Sequence, residues 1–276
     1  MKIALYGLGI IGSIWAKNLK ADGHDVRAWN RTAKPDHPCF VADAAKAATG
    51  AELVMIVVAD GPAVNQVLDV ILPKLTPGTV VANHATISVA EVASIAARVR
   101  AARCEFLDMP FTGSKLAAEA RQTVFFIGDD NGVLAKVEPA MKPLTKAMLP
   151  LGKVGNAMAL KLAFNLMIAT TFQGLAEGLR LATAAGIPAE TFFSCLEMNI
   201  ARSGVSDLKK PKLLARDWSA QFSVKHMHKD LRHALTLAAA HGVTLPQARE
   251  LERAYAATTG KGLGEADFSA LYESLS

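Results

Sequence analysis

The stretch that most constrains the fold stands at the start of the chain. KIALY, residues 2–6, reads as a buried strand. It runs directly into Gly7-Leu8-Gly9-Ile10-Ile11-Gly12 and then into the helix-forming SIWAKNLKADG. Strand, glycines at this spacing and helix together form the setting of a dinucleotide-binding βαβ unit. Gly7 permits the tight turn, Gly9 lets backbone approach a pyrophosphate, and Gly12 lets the helix pack closely on the strand. The helix N-terminus then offers unpaired N–H groups and a positive dipole end to phosphates. Leu8, Ile10 and Ile11 complete the loop as candidate cofactor contacts. A signal peptide has a similar apolar run, but the glycine spacing and the charges that follow argue against one.

Residues 24–30, HDVRAWN, give a second strand, ending at Asn30-Arg31-Thr32 with Lys34 close by. A cofactor lacking a 2′-phosphate usually meets a carboxylate at this strand end. Here there is none, and the planar fork of Arg31 suits a 2′-phosphate, which favours NADP(H) over NAD(H). The third strand, ELVMIVV, is apolar on both faces as in a parallel sheet and ends at Ala59-Asp60-Gly61-Pro62, where ligands bind in open α/β sheets. The helix PAVNQVLDVILPKL and a fourth strand, TVVAN, follow. In the next loop, His84–Ser88, Thr86 either contacts a ligand or caps the helix beginning near Ser88, the commoner role for such a residue. Strand EFLDM then leads to Pro110-Phe111-Thr112-Gly113-Ser114-Lys115, rich in hydroxyls and backbone N–H groups, and TVFFIG (123–128) is another strand.

Beyond residue 155 strand-like runs disappear. Helical patterns cover 156–185, 188–200, about 222–241 and 246–259. The expected architecture is therefore a doubly wound parallel α/β domain over 1–155 and an all-helical domain over 156–276. The chain of 276 residues, 51% hydrophobic and 20% charged, has the composition of a soluble globular protein with a sizeable core. Its formal charge of +5 suits small anionic ligands, and no basic, aromatic-interleaved patch points to nucleic acid. Outside the N-terminus the longest clean apolar run is read as 53–59, too short to span a bilayer. Cys39, Cys104 and Cys195 are scattered, with neither metal-ligand nor disulfide spacing, which suits a reducing cytoplasm. His226, His228 and His233 read as solvated helix-face residues rather than metal ligands.

The boundary between the two domains falls in LGKVGNAMALKLAFN, 151–165. Turn glycines Gly152 and Gly155 precede Asn156, a plausible N-cap, and a long apolar helix holding one cation, Lys161, with Asn165 a turn later on the same face. A buried lysine is costly without partners. Lys161 is either a snorkelling residue or a catalytic one facing a cleft, and a cleft between domains is a favoured ligand site.

Four segments, GLGIIGSIWAKNLKADGHDVRAWNRT, FLDMPFTGSKLAAEA, LGKVGNAMALKLAFN and FSVKHMHKDL, resemble the motifs of the β-hydroxyacid dehydrogenases, the family of 3-hydroxyisobutyrate, tartronate semialdehyde and 6-phosphogluconate dehydrogenases. The resemblance covers nearly the whole chain in order. Within it, GSK with Ala118-Glu119 and Gln122 is similar to the glyoxylate and succinic semialdehyde reductases. The resemblance implies that Lys161 is the catalytic lysine and Asn165 its partner amide. It implies that Thr112, Gly113 and Ser114 bind a substrate carboxylate, and that Thr86 serves substrate and nicotinamide. Phe222, Lys229 and Asp230 fall where the family closes over cofactor and substrate. Asn30, Arg31, Thr32, Ala59 and Asp60 fall at the cofactor.

Three positions depart from the family pattern: Phe111 for valine, Ala157 for glycine, and Ala120-Arg121 where a turn glycine is expected. The implied activity is NADPH-dependent reduction of a small aldehyde or oxo-acid by a cytoplasmic homodimer or homotetramer, associated through the helical domain and without membrane or nucleic-acid partners. The alternatives are an imine reductase, which shares the fold but generally lacks the lysine, and a non-catalytic NADPH-binding regulatory or assembly protein.

Overall fold

The computed structural model describes residues Met1–Leu275. The chain forms two compact units, Met1–Lys161 and the remainder from Leu162.

The first unit is built on a five-stranded parallel sheet of β1 (Lys2–Tyr6), β2 (Asp25–Trp29), β3 (Leu53–Ile56), β4 (Val80–Asn83) and β5 (Glu105–Asp108), in the order β2-β1-β3-β4-β5. Helices α1 (Ile10–Ala21), α2 (Ala44–Ala48), α3 (Gly61–Ile71) and α4 (Val89–Ala101) connect the strands. Every residue of β3 and β4 is buried, as their uninterrupted apolar sequences require. The winding reverses between β1 and β3, and at such a switch point ligands bind outside the carboxyl ends of the strands. The GLGIIG loop leaves β1 there.

The sheet expected through residue 155 is in fact two sheets. β6 (Phe111–Thr112), α5 (Lys115–Glu119), β7 (Thr123–Ile127), α6 (Leu134–Met141) and β8 (Thr145–Pro150) follow β5. β6 pairs antiparallel with β7, and β7 pairs parallel with β8. The TVFFIG strand is thus the centre of a mixed three-stranded sheet and no continuation of the parallel one. A single antiparallel bridge, Asp108 to Gly128, connects the end of β5 to the chain just past β7. Phe111, the first residue of β6, fills an aromatic cluster. Its ring lies 4.8 Å from that of Trp15, and Trp15 packs at 5.2 Å on His84 and 5.1 Å on Phe125. That packing accounts for a large ring where valine is expected.

Helix α7 (Asn156–Ala184) begins in the first unit and continues into the second. Asn156 is its first residue and does not act as the expected N-cap: its side-chain amide donates to the Leu151 carbonyl at 2.8 Å. With 29 residues and a mean hydropathy of 1.2 over its most apolar window, α7 is long and apolar enough to cross a membrane. It holds no clean apolar run as long as 53–59, because Lys161 and Asn165 interrupt it. Ala169, Phe172, Leu175, Ala176 and Leu179 recur at helical spacing and are buried in the core of the second unit.

That core is completed by α8 (Ala189–Leu196), α9 (Gly204–Ala215), α10 (Val224–Ala240), α11 (Pro246–Thr258) and a short 3₁₀ segment, Phe268–Ser274. Among the described residues the second unit has no strand, only a bridge between Ser223 and Asp267. Helix α9 was not expected, since GVSDLKKPKLLA is polar and contains Pro211. Its buried face carries two lysines. Lys209 Nζ lies 2.6 Å from Asp267 Oδ1 and 4.3 Å from the centre of the Phe268 ring. Lys212 Nζ reaches four acceptors on Asp217 and Ser219. Asp267 also accepts from the backbone N–H groups of Gln221 and Phe222. The buried pair thereby ties the loop before α10 into the core.

Candidate active site

The glycine loop has the geometry that its sequence demands. Gly7 has φ +110°, and a Cβ there would lie 2.1 Å from the Val57 carbonyl oxygen. A Cβ on Gly12 would lie 1.9 Å from the Gly7 oxygen. Neither position admits a side chain. Gly9 is different: a Cβ there meets nothing within 4 Å. The space beside Gly9 is open at the N-terminus of α1, where first-turn N–H groups lack helical partners. A pyrophosphate fits such a cradle. Gly9 and Ile10 are exposed and Ile11 half-buried, whereas Leu8 is buried and its N–H donates to Asn30 Oδ1 at 2.8 Å. Leu8 thus belongs to the frame of the loop.

Asn30 also donates through its amide to the Thr32 carbonyl at 2.7 Å. One neutral side chain thereby orders both the glycine loop and the turn after β2, and it leaves no carboxylate beside a ribose. Arg31, Thr32 and Lys34 on that turn are exposed. Ala59 is exposed at the carboxyl edge, and Asp60 caps α3 by accepting from Ala63 N at 2.9 Å.

After β4 the capping role falls to Ser88 and not to Thr86. Ser88 Oγ accepts from Glu91 N at 3.2 Å, while the Glu91 carboxylate accepts from Ser88 N at 2.8 Å. This reciprocal box needs a residue immediately before the helix, and Thr86 is two residues too early. Thr86 is half-buried in the loop above β4. Just before it, His84 is buried, and its Nδ1 meets the Met109 carbonyl at 2.7 Å, so Nδ1 carries the proton. Burial lowers the His84 pKa to about 4. Thr112 and Ser114 are half-buried on either side of Gly113, which is exposed and has φ +127°.

Lys161 is half-buried in the second turn of α7. In the second unit Asn165 is buried, and its amide donates to Asp230 Oδ2 at 2.6 Å. Asp230 lies on the buried stripe of α10, and its other oxygen receives Lys229 Nζ at 2.7 Å. Phe222 is half-buried, its ring stacked on His226 at 6.0 Å and edge-on to Phe268 at 6.3 Å. The three histidines of α10 are half-buried rather than solvated. His226 contacts Ser223 Oγ at 3.0 Å, and burial pushes its pKa down. His228 meets Glu252 at 2.6 Å. His226 thus meets the loop before α10 and His228 meets α11, contacts that a single-helix pattern does not reveal.

Two residues that sequence reasoning left without a role stand close to these positions. Asp108, in FLDMP, is buried at the end of β5, and Asp267 is the buried hub below Phe222. For Asp108, a carboxylate inside the apolar segment FLDMP was the available signal.

An open cradle at a glycine loop of a parallel sheet, followed by an all-helical unit, suits a dinucleotide-dependent oxidoreductase. The family model for the NAD binding domain of 6-phosphogluconate dehydrogenase matches residues 2–155, and that for the NAD-binding region of NADP-dependent 3-hydroxyisobutyrate dehydrogenase matches residues 155–275. The chain belongs to the 3-hydroxyisobutyrate dehydrogenase-like family of β-hydroxyacid dehydrogenases. It is 28% identical to glyoxylate/succinic semialdehyde reductase 2 (chloroplastic) of Arabidopsis thaliana, over 100% of this chain and 79% of that protein. It is also 28% identical to reductase 1 of that plant, over 100% and 98%. Among solved structures, the Mycobacterium tuberculosis 3-hydroxyisobutyrate dehydrogenase determined with L-serine is 25% identical, with a TM-score of 0.86 over 99% of this chain and 98% of that one.

Proposed function

We propose that this enzyme reduces a small aldehyde or oxo-acid of the glyoxylate or succinic semialdehyde type with NADPH, and runs in reverse as a 3-hydroxyacid dehydrogenase. The observation that carries this reading is the series along α7: half-buried Lys161, then Asn165 one turn on, fixed by buried Asp230. The similarity to two plant glyoxylate/succinic semialdehyde reductases supports the substrate class. The L-serine in the mycobacterial structure, itself a 3-hydroxyacid, supports the reverse direction. The turn at Asn30–Lys34, basic and free of carboxylates, supports NADP(H).

Bound at the glycine loop, the nicotinamide cofactor supplies the hydride. The chain's own residues do the rest. Thr112 and the N–H groups near Gly113 and Ser114 hold the carboxylate. Lys161, protonated, hydrogen-bonds the carbonyl oxygen and delivers a proton to it as negative charge develops; in oxidation it acts as base. Asn165, oriented by Asp230, holds the polar end of the lysine or substrate.

NADPH oxidation across a panel of short aldehydes, oxo-acids and cyclic imines, with wild type, Lys161→Ala and Lys161→Arg, tests the proposal. The expected result is turnover of an oxo-acid aldehyde, a loss of roughly 10²–10⁴ in rate for Lys161→Ala, and NADPH affinity nearly unchanged. Arginine does not rescue, because a guanidinium does not release its proton at working pH. Turnover of imines alone would identify an imine reductase. NADPH binding without any turnover would identify a non-catalytic binding protein.

A further inference from the structure

The first turn of α7 is capped from elsewhere in the chain. Asp108 Oδ2 accepts from Gly155 N at 3.1 Å and from Met158 N at 3.0 Å. Asn156, at the helix start, points its amide away to the Leu151 carbonyl. A carboxylate in this position satisfies two of the orphan N–H groups and lies at the positive end of the dipole. Asp130 holds the same turn from a more exposed side, accepting from Val154 N at 2.9 Å. The junction is closely packed as well. Asp108 and Gly128 exchange backbone hydrogen bonds of 3.1 and 2.8 Å, and a Cβ on Gly128 would come within 3.0 Å of the Lys153 oxygen and 3.2 Å of Asp108 Cβ.

Asp108 is an unfavourable group to keep in this core. It is fully buried, its Oδ1 has no hydrogen-bond partner, and burial raises its pKa to about 7. A serine or aspartate just before the helix would cap it at the surface more cheaply. What the buried aspartate adds is a link between two segments distant in sequence. It ends the strand from which the chain runs into Thr112–Ser114, and it grips Met158, the residue one turn before Lys161. We propose that Asp108 is the positioning residue for Lys161, fixing the first turn of α7 against the root of the substrate loop. This rests on the reading of Lys161 as proton donor.

A double-mutant cycle between Asp108→Ala and Lys161→Ala tests the link. In the wild-type background Asp108→Ala should lower kcat roughly ten- to a hundredfold, the scale of a small misplacement of a catalytic group, with NADPH affinity nearly unchanged. Asp108→Asn keeps an oxygen acceptor for both N–H groups and should remain within about threefold of wild type. In the Lys161→Ala background Asp108→Ala should change the rate less than about twofold, because there is no lysine left to position. Wild-type kcat in Asp108→Ala, or the same fold loss in both backgrounds, overturns the proposal. If Asp108→Ala does not fold, Asp130→Ala loosens the same turn from its exposed side and is read by the same cycle: a non-additive loss supports the proposal, and wild-type kcat overturns it. A Lys161→Ala enzyme at wild-type rate removes the donor itself, and the proposal with it. A slow Lys161→Ala with a wild-type Asp108→Ala removes only the positioning role.

Discussion

Asn165 and Asp230 lie 65 positions apart in the sequence, and the Asn165 amide nitrogen sits 2.6 Å from Asp230 Oδ2. With Lys229 at 2.7 Å on the other oxygen, both sides of this buried carboxylate are engaged. Asp230 is thus suited to orienting Asn165 and ill suited to giving up a proton. Asp230→Asn keeps the shape but removes the charge that strengthens the Asn165 bond. The expected result is a loss of about tenfold or more in kcat, with NADPH affinity close to wild type, measured by steady-state kinetics beside a cofactor titration. A pH–rate profile of this variant retaining every limb of the wild-type profile would agree with a role in orientation. Loss of a limb would mark Asp230 as a proton carrier.

The proposed preference for NADPH rests on the turn after β2. Arg31 is exposed there, and Asn30 is committed to the Leu8 N–H and the Thr32 carbonyl. NADPH should bind at least about tenfold more tightly than NADH, about 1.4 kcal/mol, and Arg31→Ala should remove most of that difference. Fluorescence titration with both dinucleotides measures it, and equal affinities in the wild type would refute it. Asn30→Asp should weaken NADPH further by placing a carboxylate beside the 2′-phosphate.

Two buried groups at the ends of neighbouring strands give opposite pH dependences of stability. The folded pKa of His84 is lowered to about 4, so its stabilisation is complete above about 6.5 and is lost as pH falls toward 4. The folded pKa of Asp108 is raised to about 7, so its contribution is complete below about 4 and is lost as pH rises through 7. Each shift corresponds to about 3–4 kcal/mol, and between pH 4 and 6.5 the two largely cancel. Asp108→Asn should therefore expose a steep loss of stability on acidification, and His84→Gln a gain, both read from urea unfolding at pH 4, 5, 6 and 7. Parallel curves for all three proteins would contradict these assignments.

Arg121 occupies the position where a turn glycine is expected, and its φ is +58°, the left-handed region. Its guanidinium grips Asp22 with two bonds of 2.7 and 2.9 Å, which offsets the strain. Arg121→Ala loses the pair and keeps the strain, whereas Arg121→Gly loses the pair and relieves the strain. The glycine variant should be more stable than the alanine variant by about 1 kcal/mol in thermal or urea unfolding.

The glycine loop could be read from sequence because its constraints are local: at Gly7 and Gly12 the backbone comes too close for any side chain. β3 and β4 could be read because strands buried on both faces are uninterrupted apolar runs, and the apolar face of α7 because burial on one side imposes a helical period. The parts that could not be read depend on distant partners. TKAMLP carries no clear strand signal because β8 is an edge strand, half-exposed and ending in proline. GVSDLKKPKLLA looks solvated because the partner that lets Lys209 be buried, Asp267, is 58 residues away. Asp108 had no evident role in FLDMP because the N–H groups it accepts from belong to Gly155 and Met158. Of the candidate site, the residue types were legible, whereas the bonds that fix Asn30, Asn165 and Asp230 were not.

The Lys209–Asp267 pair has a consequence for how the second unit opens locally. The N–H groups of Gln221 and Phe222 both donate to Asp267 Oδ2, while Oδ1 is held by Lys209 and Ser269. For either amide to exchange its hydrogen with solvent, a fully buried ion pair must separate or the segment must leave the core, so its opening free energy approaches that of the helices around it. The approach to Phe222 is irregular in backbone yet kinetically part of the core, and any motion of Phe222 on the timescale of turnover has to come from its side chain or from the unit moving whole.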